Sequence, residues 1–379
     1  MKMRFLVLIF FTLLCHPLFS QSSRTFVFIG TYTNGQPDKG IYVYSLNRRN
    51  GKLKKVFSGQ GITNPSYFTL SPNGDYLYAC TETKLPMQGS VSAFRIDTAS
   101  GTLTFLNKQS SHGENPVYVS CSANNEHLVV ANYTEGNIAV LKTNSDGSLN
   151  PASQIVPFHG GGPNANRQDK AHIHAAVFSP DFRYVFCPDL GSDRIRVFQC
   201  ASNDSQTLKP RTDNDYLASL GSGPRHFTFH PNGAFAYCIE EISGTVTAFD
   251  YHDGHLDSIQ RVFAYSKIQD EYNSADIHVS PDGLFLYASN RWDQENTLAI
   301  FAIDKVTGKL TLIGHQSTLG DHPRNFAIDV QGDFLVVANQ VTNNIVVFRR
   351  NKQTGLLSKI RQEIKVPSPS CVQIRTYGN

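Results

Sequence analysis

The feature that most constrains the fold of this chain is one repeated pattern, a turn residue followed by a β-rich run and a second turn. Seven segments align on this pattern, and they begin at Asn64, Asn115, His172, Gly223, Asn273, His322 and Pro369. Successive starts lie about fifty residues apart, which is the period of propeller blades rather than of shorter solenoid repeats. The repeat therefore predicts an array of similar units set around one axis.

Each repeat predicts four short strands. In the unit that begins at Gly223, the runs FTFH, FAYC and TVTAFDY are rich in β-forming residues, and the PNG that follows FTFH is a turn signal. A fourth short run follows a glycine-containing turn in several units, and no stretch has the period of an amphipathic helix. Hairpin-linked strands of this kind predict an all-β fold with four-stranded antiparallel blades.

The two ends of the chain complete the count of blades. Thr25–Tyr32 resembles the second strand of a unit whose first strand is missing, and the segment from Pro369 is a first strand with nothing after it. Pairing the two ends in one blade closes the ring and removes the exposed sheet edges of an open array. We therefore predict a seven-bladed β-propeller as a single domain over residues 21–379, with the longest insertion, Pro157–Ala171, as a loop above one face.

The first twenty residues have the pattern of a secretory signal peptide. Lys2 and Arg4 precede an apolar run over Phe5–Leu14, and the small residue Ser20 marks a cleavage site. Lipoprotein anchoring at Cys15 is disfavoured because the bulky Leu14 precedes it. No later segment has the length of a transmembrane helix, so we expect a periplasmic or secreted protein.

Composition narrows the possible partners. The net charge of +3 gives no reason to expect binding to nucleic acid or to a membrane surface, and 40% apolar with 17% charged residues suits a packed core. Cys80, Cys187 and Cys238 lie in β-rich runs, which favours buried thiols over disulfides. The oligomeric state is left open by these patterns.

The repeat register also predicts which residues are neighbours in space. Just after the first turn, the seven units carry Ser66, Val117, His174, Arg225, Ala275, Arg324 and Ser370. At the end of the second strand, six units carry Glu82, Tyr133, Leu190, Glu241, Arg291 and Gln340. Since the first strand of a propeller blade is innermost, both sets should form rings at one mouth of the central channel.

Four residues of these rings, His174, Arg225, Glu241 and Arg291, are our candidate catalytic residues because they lie in three adjacent predicted blades. A histidine, two arginines and a glutamate have the parts of an acid/base site with an anion clamp. The alternative is that Arg225 and Glu241 simply pair and satisfy each other's charge. Arguments from position favour function, because polar groups gathered on loops over a rigid scaffold are typical of sites.

Two further residues, Arg324 and His226, are candidate substrate-binding residues. Arg324 shares the ring position of Arg225 and could widen the cationic patch, or it could pair with Asp321 or Asp329. His226 follows Arg225 directly, but it alternates along the first strands with His230 and His278, a pattern that favours packing or turn roles for these histidines.

Metal and cofactor chemistry are not indicated. His159, His172 and His174, with Asp169 nearby, match no familiar zinc spacing. The chain has no GxSxG elbow and no recognisable Cys/His pair, so a covalent nucleophile has no support either. We therefore expect no metal and no cofactor at the site.

Several of these motifs resemble those of the seven-bladed propeller lactonases, the group that holds propeller-type 6-phosphogluconolactonases and carboxymuconate lactonizing enzymes. The resemblance is carried by GSGPRHFTFHPNGAFAYCIEE, SADIHVSPDGLFLYASNR, HPRNFAID and HGGGPNANRQDKAHIHAAVFSPD, and it runs through essentially the whole mature chain. It implies a metal-free site at the channel mouth whose residues correspond to His174, Arg225, Glu241 and, less directly, Arg291.

The function implied by the resemblance is hydrolysis of a sugar-type lactone, in the manner of 6-phosphogluconolactonase. The export leader departs from that cytosolic reaction, so another sugar lactone or cyclic ester outside the cytoplasm is equally reasonable. A muconate-type lactonizing cycloisomerase would use the same residues, and a non-catalytic propeller that binds a partner or glycan is the third alternative. Which of His174 and Glu241 acts as the base stays open at this point.

Overall fold

The structure is a computed structural model that describes residues 23–33, 40–59, 61–201, 207–291 and 294–378. These residues form seven separate antiparallel sheets and one short 3₁₀ helix at Thr212–Asn214. The predicted all-β, seven-bladed propeller is therefore confirmed. The predicted signal peptide over residues 1–20 lies outside the described residues.

The strands follow one another blade by blade. The blade that holds both ends contains β1 (Arg24–Thr31), β2 (Ile41–Leu46), β3 (Leu53–Ser58) and β29 (Pro369–Tyr377). The second blade contains β4 (Phe68–Leu70), β5 (Tyr76–Thr81), β6 (Ser90–Ile96) and β7 (Leu103–Ser110). The third contains β8 (Pro116–Cys121), β9 (His127–Asn132), β10 (Asn137–Thr143) and β11 (Leu149–Pro157). The fourth contains β12 (Val177–Phe178), β13 (Tyr184–Asp189), β14 (Arg194–Cys200) and β15 (Leu208–Pro210), with β16 (Tyr216–Leu217) paired to β14.

The last three blades have the same order. The fifth contains β17 (Pro224–Phe229), β18 (Phe235–Glu240), β19 (Thr245–His252) and β20 (His255–Phe263). The sixth contains β21 (Ser274–Val279), β22 (Phe285–Asn290), β23 (Thr297–Ile303) and β24 (Leu310–Ser317). The seventh contains β25 (Pro323–Ile328), β26 (Phe334–Asn339), β27 (Asn344–Arg350) and β28 (Leu357–Lys359).

The ring is closed as the sequence predicts, by strands from the two ends of the chain. β29 pairs antiparallel with β1 from Arg24 opposite Tyr377 to Thr31 opposite Pro369, so the C-terminal strand is the inner strand of this blade. A side chain at Gly30 would approach the carbonyl oxygen of Pro65 to 2.3 Å, so only glycine fits where this blade meets the next.

The hydrophobic core lies between adjacent blades. Every residue of β18 is buried, because each face of the strand packs on a neighbouring sheet. Between the fifth and sixth blades, for example, Tyr237 and Ile239 of β18 share one apolar cluster with Leu286 and Ala288 of β22. Burying one large apolar side chain contributes about 1.5–3 kcal/mol, so these layers fix the positions of the inner strands around the channel.

The cysteines of the described residues agree with the prediction of thiols rather than disulfides, since Cys80, Cys121, Cys187, Cys200, Cys238 and Cys371 are all free. Burial raises the pKa of the Cys187 thiol above its ordinary value, so this group is an apolar filler of the sheet. Within the described part of the chain, no helix has both the length and the apolar character needed to cross a membrane.

Candidate active site

Two cavities are stacked at one mouth of the central channel. The larger, which we call the site cavity, offers about 250 Å³ to the centres of water molecules. Its lining consists of Glu82, Asn115, Val117, Tyr133, Arg167, His174, Glu241, Asn273, Arg291 and Arg324. The smaller, which we call the channel cavity, is lined by Ser66, Tyr67, Val117, His174, Arg225, His226, Arg324, Asn325 and Ser370. Because His174 and Arg324 line both, the two cavities are adjacent.

These linings match the two rings of the repeat register. Six of the seven first-turn positions line the channel cavity, and the seventh, Ala275, contacts Arg225 through its carbonyl oxygen at 2.5 Å. Among the positions at the end of the second strand, Glu82, Tyr133, Glu241 and Arg291 line the site cavity. The structure thus brings together residues about fifty positions apart in sequence, as the blade period requires.

Glu241 lies at the centre of the charged groups. Its carboxylate is 2.6 Å from Nε of Arg225 and 3.2 Å from Nη2 of Arg291, and it forms a third ion pair with Nη2 of Arg167. Burial alone would raise the pKa of Glu241, but the guanidinium groups of Arg291, Arg225 and Arg167 outweigh it and hold this pKa below its ordinary value. Glu241 is therefore a fixed anion.

Arg225 lies beneath Glu241 and is only 1% exposed. It follows Gly223, whose φ of 66° belongs to the left-handed region that favours glycine. The carboxylate of Asp193 accepts hydrogen bonds from the backbone nitrogens of Gly221 at 2.6 Å and Gly223 at 2.8 Å. This turn holds the start of β17 in place, and Arg225 lines the channel cavity rather than the site cavity.

Arg167 is a site residue that the sequence arguments missed. It comes from the insertion Pro157–Ala171, and its side chain, 37% exposed, reaches Glu241 from above. The next residue, Gln168, donates from Nε2 to Asp193 at 2.7 Å and to the carbonyl oxygen of Leu190 at 2.9 Å, which anchors the loop. The sequence signal that could have identified Arg167 is its place as a basic residue in the longest insertion of the repeat array.

His174 separates the site cavity from the channel cavity and is 6% exposed. Its ring packs edge-on to Tyr133 at 5.3 Å and to His226 at 5.4 Å between centroids. Burial, together with the charges of Arg225 and Arg324, holds the pKa of His174 well below its ordinary value. The imidazole is therefore neutral near pH 7, and one of its nitrogens can accept a proton.

Arg324 also lines the site cavity and comes from β25 of the seventh blade, two blades after Glu241. Its guanidinium group is 5.3 Å from the ring centroid of Tyr32, and its Nη2 atom is 3.9 Å from Oε2 of Glu82. The hydroxyl of Tyr32 donates to the same Glu82 oxygen at 2.7 Å. Arg324 therefore pairs with Glu82, whereas Asp329, one of its two expected partners, lies 3.7 Å from Arg48.

His226 is not brought to the site cavity, although it lines the channel cavity below. Its Nδ1 atom is 2.7 Å from Oδ1 of Asp276, whose other oxygen lies 3.0 Å from Nε2 of His278. Burial and the charge of Arg225 lower the pKa of His226 to about 4, although Asp276 opposes the shift. His226 is thus a neutral ring fixed in the channel wall.

His172, one of the three histidines weighed as metal ligands in the sequence, contacts a tyrosine ring and a carboxylate. His172 stacks on Tyr133 with ring centroids 4.4 Å apart, and its Nε2 atom is 2.9 Å from Oδ1 of Asp169. Among the residues that the structure describes, no group of three or more His, Cys, Asp or Glu side chains is arranged to hold a metal ion.

The charges around the two stacked cavities do not cancel. The four guanidinium groups of Arg167, Arg225, Arg291 and Arg324 face the two carboxylates of Glu82 and Glu241, so four positive and two negative charges leave a formal net charge of +2. Such a cavity can bind an anion and polarise a carbonyl group, and the neutral His174 beside it can move a proton. The fold and the cavities together define a β-propeller with a charged cavity, bordered by a buried histidine, at one channel mouth.

Comparisons with known proteins agree with this class. A family model described as a seven-bladed β-propeller lactonase matches residues 26–374. A Formosa agariphila protein named 6-phosphogluconolactonase is 42% identical, over 93% of this chain and 100% of the relative. A Bacteroides fragilis structure provisionally named 6-phosphogluconolactonase has 40% identity and a TM-score of 0.88, with 95% of this chain and 100% of that chain covered. The periplasmic gluconolactonase of Pseudomonas aeruginosa has 34% identity and a TM-score of 0.87, with 93% and 99% covered.

This chain therefore belongs to the seven-bladed β-propeller lactonase family. The resemblance stated from the sequence motifs is confirmed, and so is the enzyme class, a lactonase.

Proposed function

We propose that the protein hydrolyses a sugar-derived lactone that carries an anionic group, and that the reaction takes place in the site cavity. The observation that carries this proposal is the formal net charge of +2 around the two stacked cavities, between which the neutral His174 lies. A cationic cavity attracts a phosphorylated or carboxylated sugar and raises its local concentration. The names of the relatives, 6-phosphogluconolactonase and gluconolactonase, support a sugar lactone as the substrate class.

The anionic group of the substrate is bound by Arg167 and Arg324. Their side chains are 37% and 18% exposed, whereas Arg225 and Arg291 are almost fully buried. An exposed guanidinium can turn its free N–H groups toward a phosphate or carboxylate and form bidentate hydrogen bonds. Arg167 and Arg324 both line the site cavity, so both can contact one bound sugar.

Arg291 stabilises the negative charge that develops on the lactone oxygen. Its guanidinium is fixed because Nη2 lies 3.2 Å from Glu241 and Nη1 donates to Nε2 of His322 at 3.2 Å. A donor that is held in place before the reaction does not have to reorganise in the transition state. Burial and the charges of Arg291 and Arg324 lower the pKa of His322 to about 3, so this imidazole is neutral and accepts the hydrogen bond.

His174 moves the proton, and Glu241 does not. Both carboxylate oxygens of Glu241 are engaged by guanidinium groups, Oε1 by Arg167 and Oε2 by Arg225 and Arg291, so neither is free to accept a proton from water. Glu241 instead fixes the arginines. His174 is neutral near pH 7, so it can accept a proton from water.

The reaction balances with these groups alone. The oxygen of a water molecule attacks the lactone carbonyl carbon while His174 takes one of its protons, and the bond between that carbon and the ring oxygen then breaks. His174 returns the proton to the departing ring oxygen, which becomes a hydroxyl group. The product is an open-chain hydroxy acid whose carboxyl group then ionises.

The proposal is tested by measuring hydrolysis of 6-phosphoglucono-δ-lactone and glucono-δ-lactone by the purified protein, with spontaneous hydrolysis subtracted. We expect kcat/KM to be at least about ten-fold higher for the phosphorylated lactone, because two charge-assisted contacts are added. His174→Gln serves as the inactive reference. Arg261→Ala serves as the active one, because Arg261 pairs with Glu240 and lines neither cavity. Turnover of neither lactone above background would contradict the proposal, and equal kcat/KM for both would contradict the anionic substrate.

We propose in addition that residues 1–20 direct export, so that the enzyme works in the periplasm or outside the cell. The basic start, the apolar run Phe5–Leu14 and the small residue Ser20 support this, and one relative is a periplasmic gluconolactonase. Mass spectrometry of the protein from fractionated cells should find an N-terminus at Gln21 in the periplasm or medium. An uncleaved chain confined to the cytosol would contradict export.

A further inference from the structure

The channel cavity beneath His174 has the size of a single water molecule. It offers ≈ 10 Å³ to the centre of a water-sized sphere. One bound water needs about 10–15 Å³ by this measure, so larger ligands do not fit. The cavity is closed below by His226, whose ring is fixed through Nδ1 by Asp276 at 2.7 Å.

Among the residues that line this cavity, and apart from Nε of Arg225, which is ion-paired with Glu241, two buried polar side-chain atoms have no hydrogen-bond partner among the described residues. They are Nδ1 of His174 and Oγ of Ser66, and both atoms are shielded from bulk solvent. The residues themselves are 6% and 3% exposed. A buried polar atom without a partner is costly, and ordered water is the usual partner where the protein supplies none.

The charges around the cavity favour water over an ion. Arg225 and Arg324 both line it, which excludes a cation. Each of them already faces a carboxylate, since Arg225 is 2.6 Å from Glu241 and Arg324 is 3.9 Å from Glu82. The cavity is also too small for an anion larger than water. A neutral molecule that both donates and accepts hydrogen bonds is the occupant that fits.

We propose that the channel cavity binds one structural water between His174 Nδ1 and Ser66 Oγ, and that this water fixes the ring and the tautomer of His174. The water accepts the Nδ1–H hydrogen bond of His174 and donates a hydrogen bond to Ser66. In this arrangement, which is the one we propose, the proton lies on Nδ1 and Nε2 keeps the lone pair that the hydrolysis needs. Ser66 is a positioning residue, because it acts on the reaction only through the water and His174. The expected effect on kcat rests on the proposed function, whereas the water and the tautomer of His174 do not.

The test uses two substitutions of Ser66 and a matched control. Ser66→Val fills the cavity and excludes the water, whereas Ser66→Ala removes one of its two partners. Ser90 is an equally buried serine, 3% exposed with an unpartnered Oγ, but it lines neither the site cavity nor the channel cavity. We expect Ser66→Val to lower kcat about ten-fold and Ser66→Ala to lower it less, with KM within about two-fold in both, since losses of supporting hydrogen bonds have this size. Ser90→Ala should leave kcat and KM unchanged.

Two measurements that do not depend on turnover accompany the kinetics. A crystal structure of the protein at high resolution should show one ordered water bonded to His174 and Ser66, and this water should be missing in Ser66→Val. The ¹⁵N chemical shifts of His174, assigned by comparison with His174→Gln, should report the Nδ1–H tautomer, and Ser66→Val should mix the two tautomers. These readouts would stand even if the lactone assays failed.

Three results would overturn the inference. They are a cavity without an ordered water, a His174 signal of the Nε2–H tautomer in the unchanged protein, and an unchanged kcat in a folded Ser66→Val variant of an active enzyme. If Ser66→Val does not fold, the structure and the ¹⁵N shifts of the unchanged protein and of Ser66→Ala decide the matter.

Discussion

Arg167 and Glu241 lie 74 residues apart in the chain, and their side chains form an ion pair over the mouth of the channel. The neighbouring carboxylate, Glu240, makes a similar pair inside its own blade, where Oε2 lies 2.7 Å from Nε of Arg261. Both arginines are 37% exposed and both carboxylates are buried. The two pairs therefore have similar exposure, but only the first borders the site cavity.

This similarity provides a controlled test of Arg167. We expect Arg167→Ala to lower kcat/KM for an anionic lactone about ten- to a hundred-fold, because a hydrogen bond to a charged group contributes about 1.5–3 kcal/mol. Most of the loss should appear in KM, since Arg167 binds the anionic group rather than the reacting atoms. Arg261→Ala should cost similar stability in thermal unfolding and leave the kinetics unchanged. Equal kinetic losses in the two variants would mean that Arg167 acts only through stability.

Glu241→Gln tests whether this carboxylate fixes the arginines. The substitution leaves three guanidinium groups around a neutral amide, so we expect a loss of about 3–5 kcal/mol in the free energy of unfolding. Activity should fall strongly as well, because Arg291 and Arg167 lose their common anchor. Glu240→Gln removes an equally buried carboxylate that contacts Thr247 and Arg261, and the folded variant should keep its kcat. An active, stable Glu241→Gln protein would contradict the role of Glu241 as anchor.

The effect of Glu241 on stability should depend on pH with a definite sign. The folded protein holds the pKa of Glu241 below its ordinary value, so the stabilisation is fully present above the unfolded pKa and is lost as the pH falls toward the folded one. The difference in unfolding free energy between the unchanged protein and Glu241→Gln should therefore be largest above about pH 5 and shrink below about pH 4. Denaturant unfolding at a series of pH values measures it, and a difference that grows toward acid pH would contradict the ion pairs.

His174 should give the activity an unusual acid limit. Burial and the charges of Arg225 and Arg324 lower its pKa, and only the neutral ring can accept a proton from water. We expect kcat/KM to stay constant as the pH falls below about 6.5, the ordinary histidine pKa, and to decline only in more acid solution. His174→Gln should lose activity at every pH, whereas His230→Gln, a buried histidine remote from the site, should behave like the unchanged protein. An acid limb centred at about 6.5 would assign the profile to another group.

The repeat made most of the site predictable. In a propeller, equal positions in successive repeats occupy equal positions around the axis, so a register fitted to turns and β-rich runs also locates neighbours. His174, Arg225, Glu241, Arg291 and Arg324 were found in this way, and all five border one of the two stacked cavities. The closing blade was predictable for the same reason. The N-terminal unit lacked a first strand, and the C-terminal segment was a first strand with no strand after it.

The repeat register could not predict the positions of residues in insertions, nor how far along the channel axis a given side chain lies. Arg167 belongs to an insertion that has no counterpart in the other repeats, so no alignment places its side chain. The depth of His226 depends on an irregularity in the pairing of β17 with β18, between Pro224 and His226, which breaks the alternation of side chains along the strand. The pair of Glu82 with Arg324 joins the second and seventh blades, which lie on either side of the blade that closes the ring.

The charge of the site cavity should make catalysis depend on salt for one substrate and not for another. The guanidinium groups of Arg167 and Arg324 are partly exposed, so their attraction for a distant anion is screened when the Debye length falls from about 10 Å at 0.1 M salt to about 3 Å at 1 M. We expect kcat/KM for 6-phosphoglucono-δ-lactone to fall several-fold over this range, mainly through KM, while the value for uncharged glucono-δ-lactone stays within about two-fold. The uncharged lactone controls for effects of salt on the fold, because both substrates use the same site. A parallel decline of kcat/KM for both substrates would contradict an electrostatic role of the cavity. If Arg324→Gln makes the salt-dependent decline smaller, and does so only for the phosphorylated substrate, the effect is assigned to the Arg324 side chain.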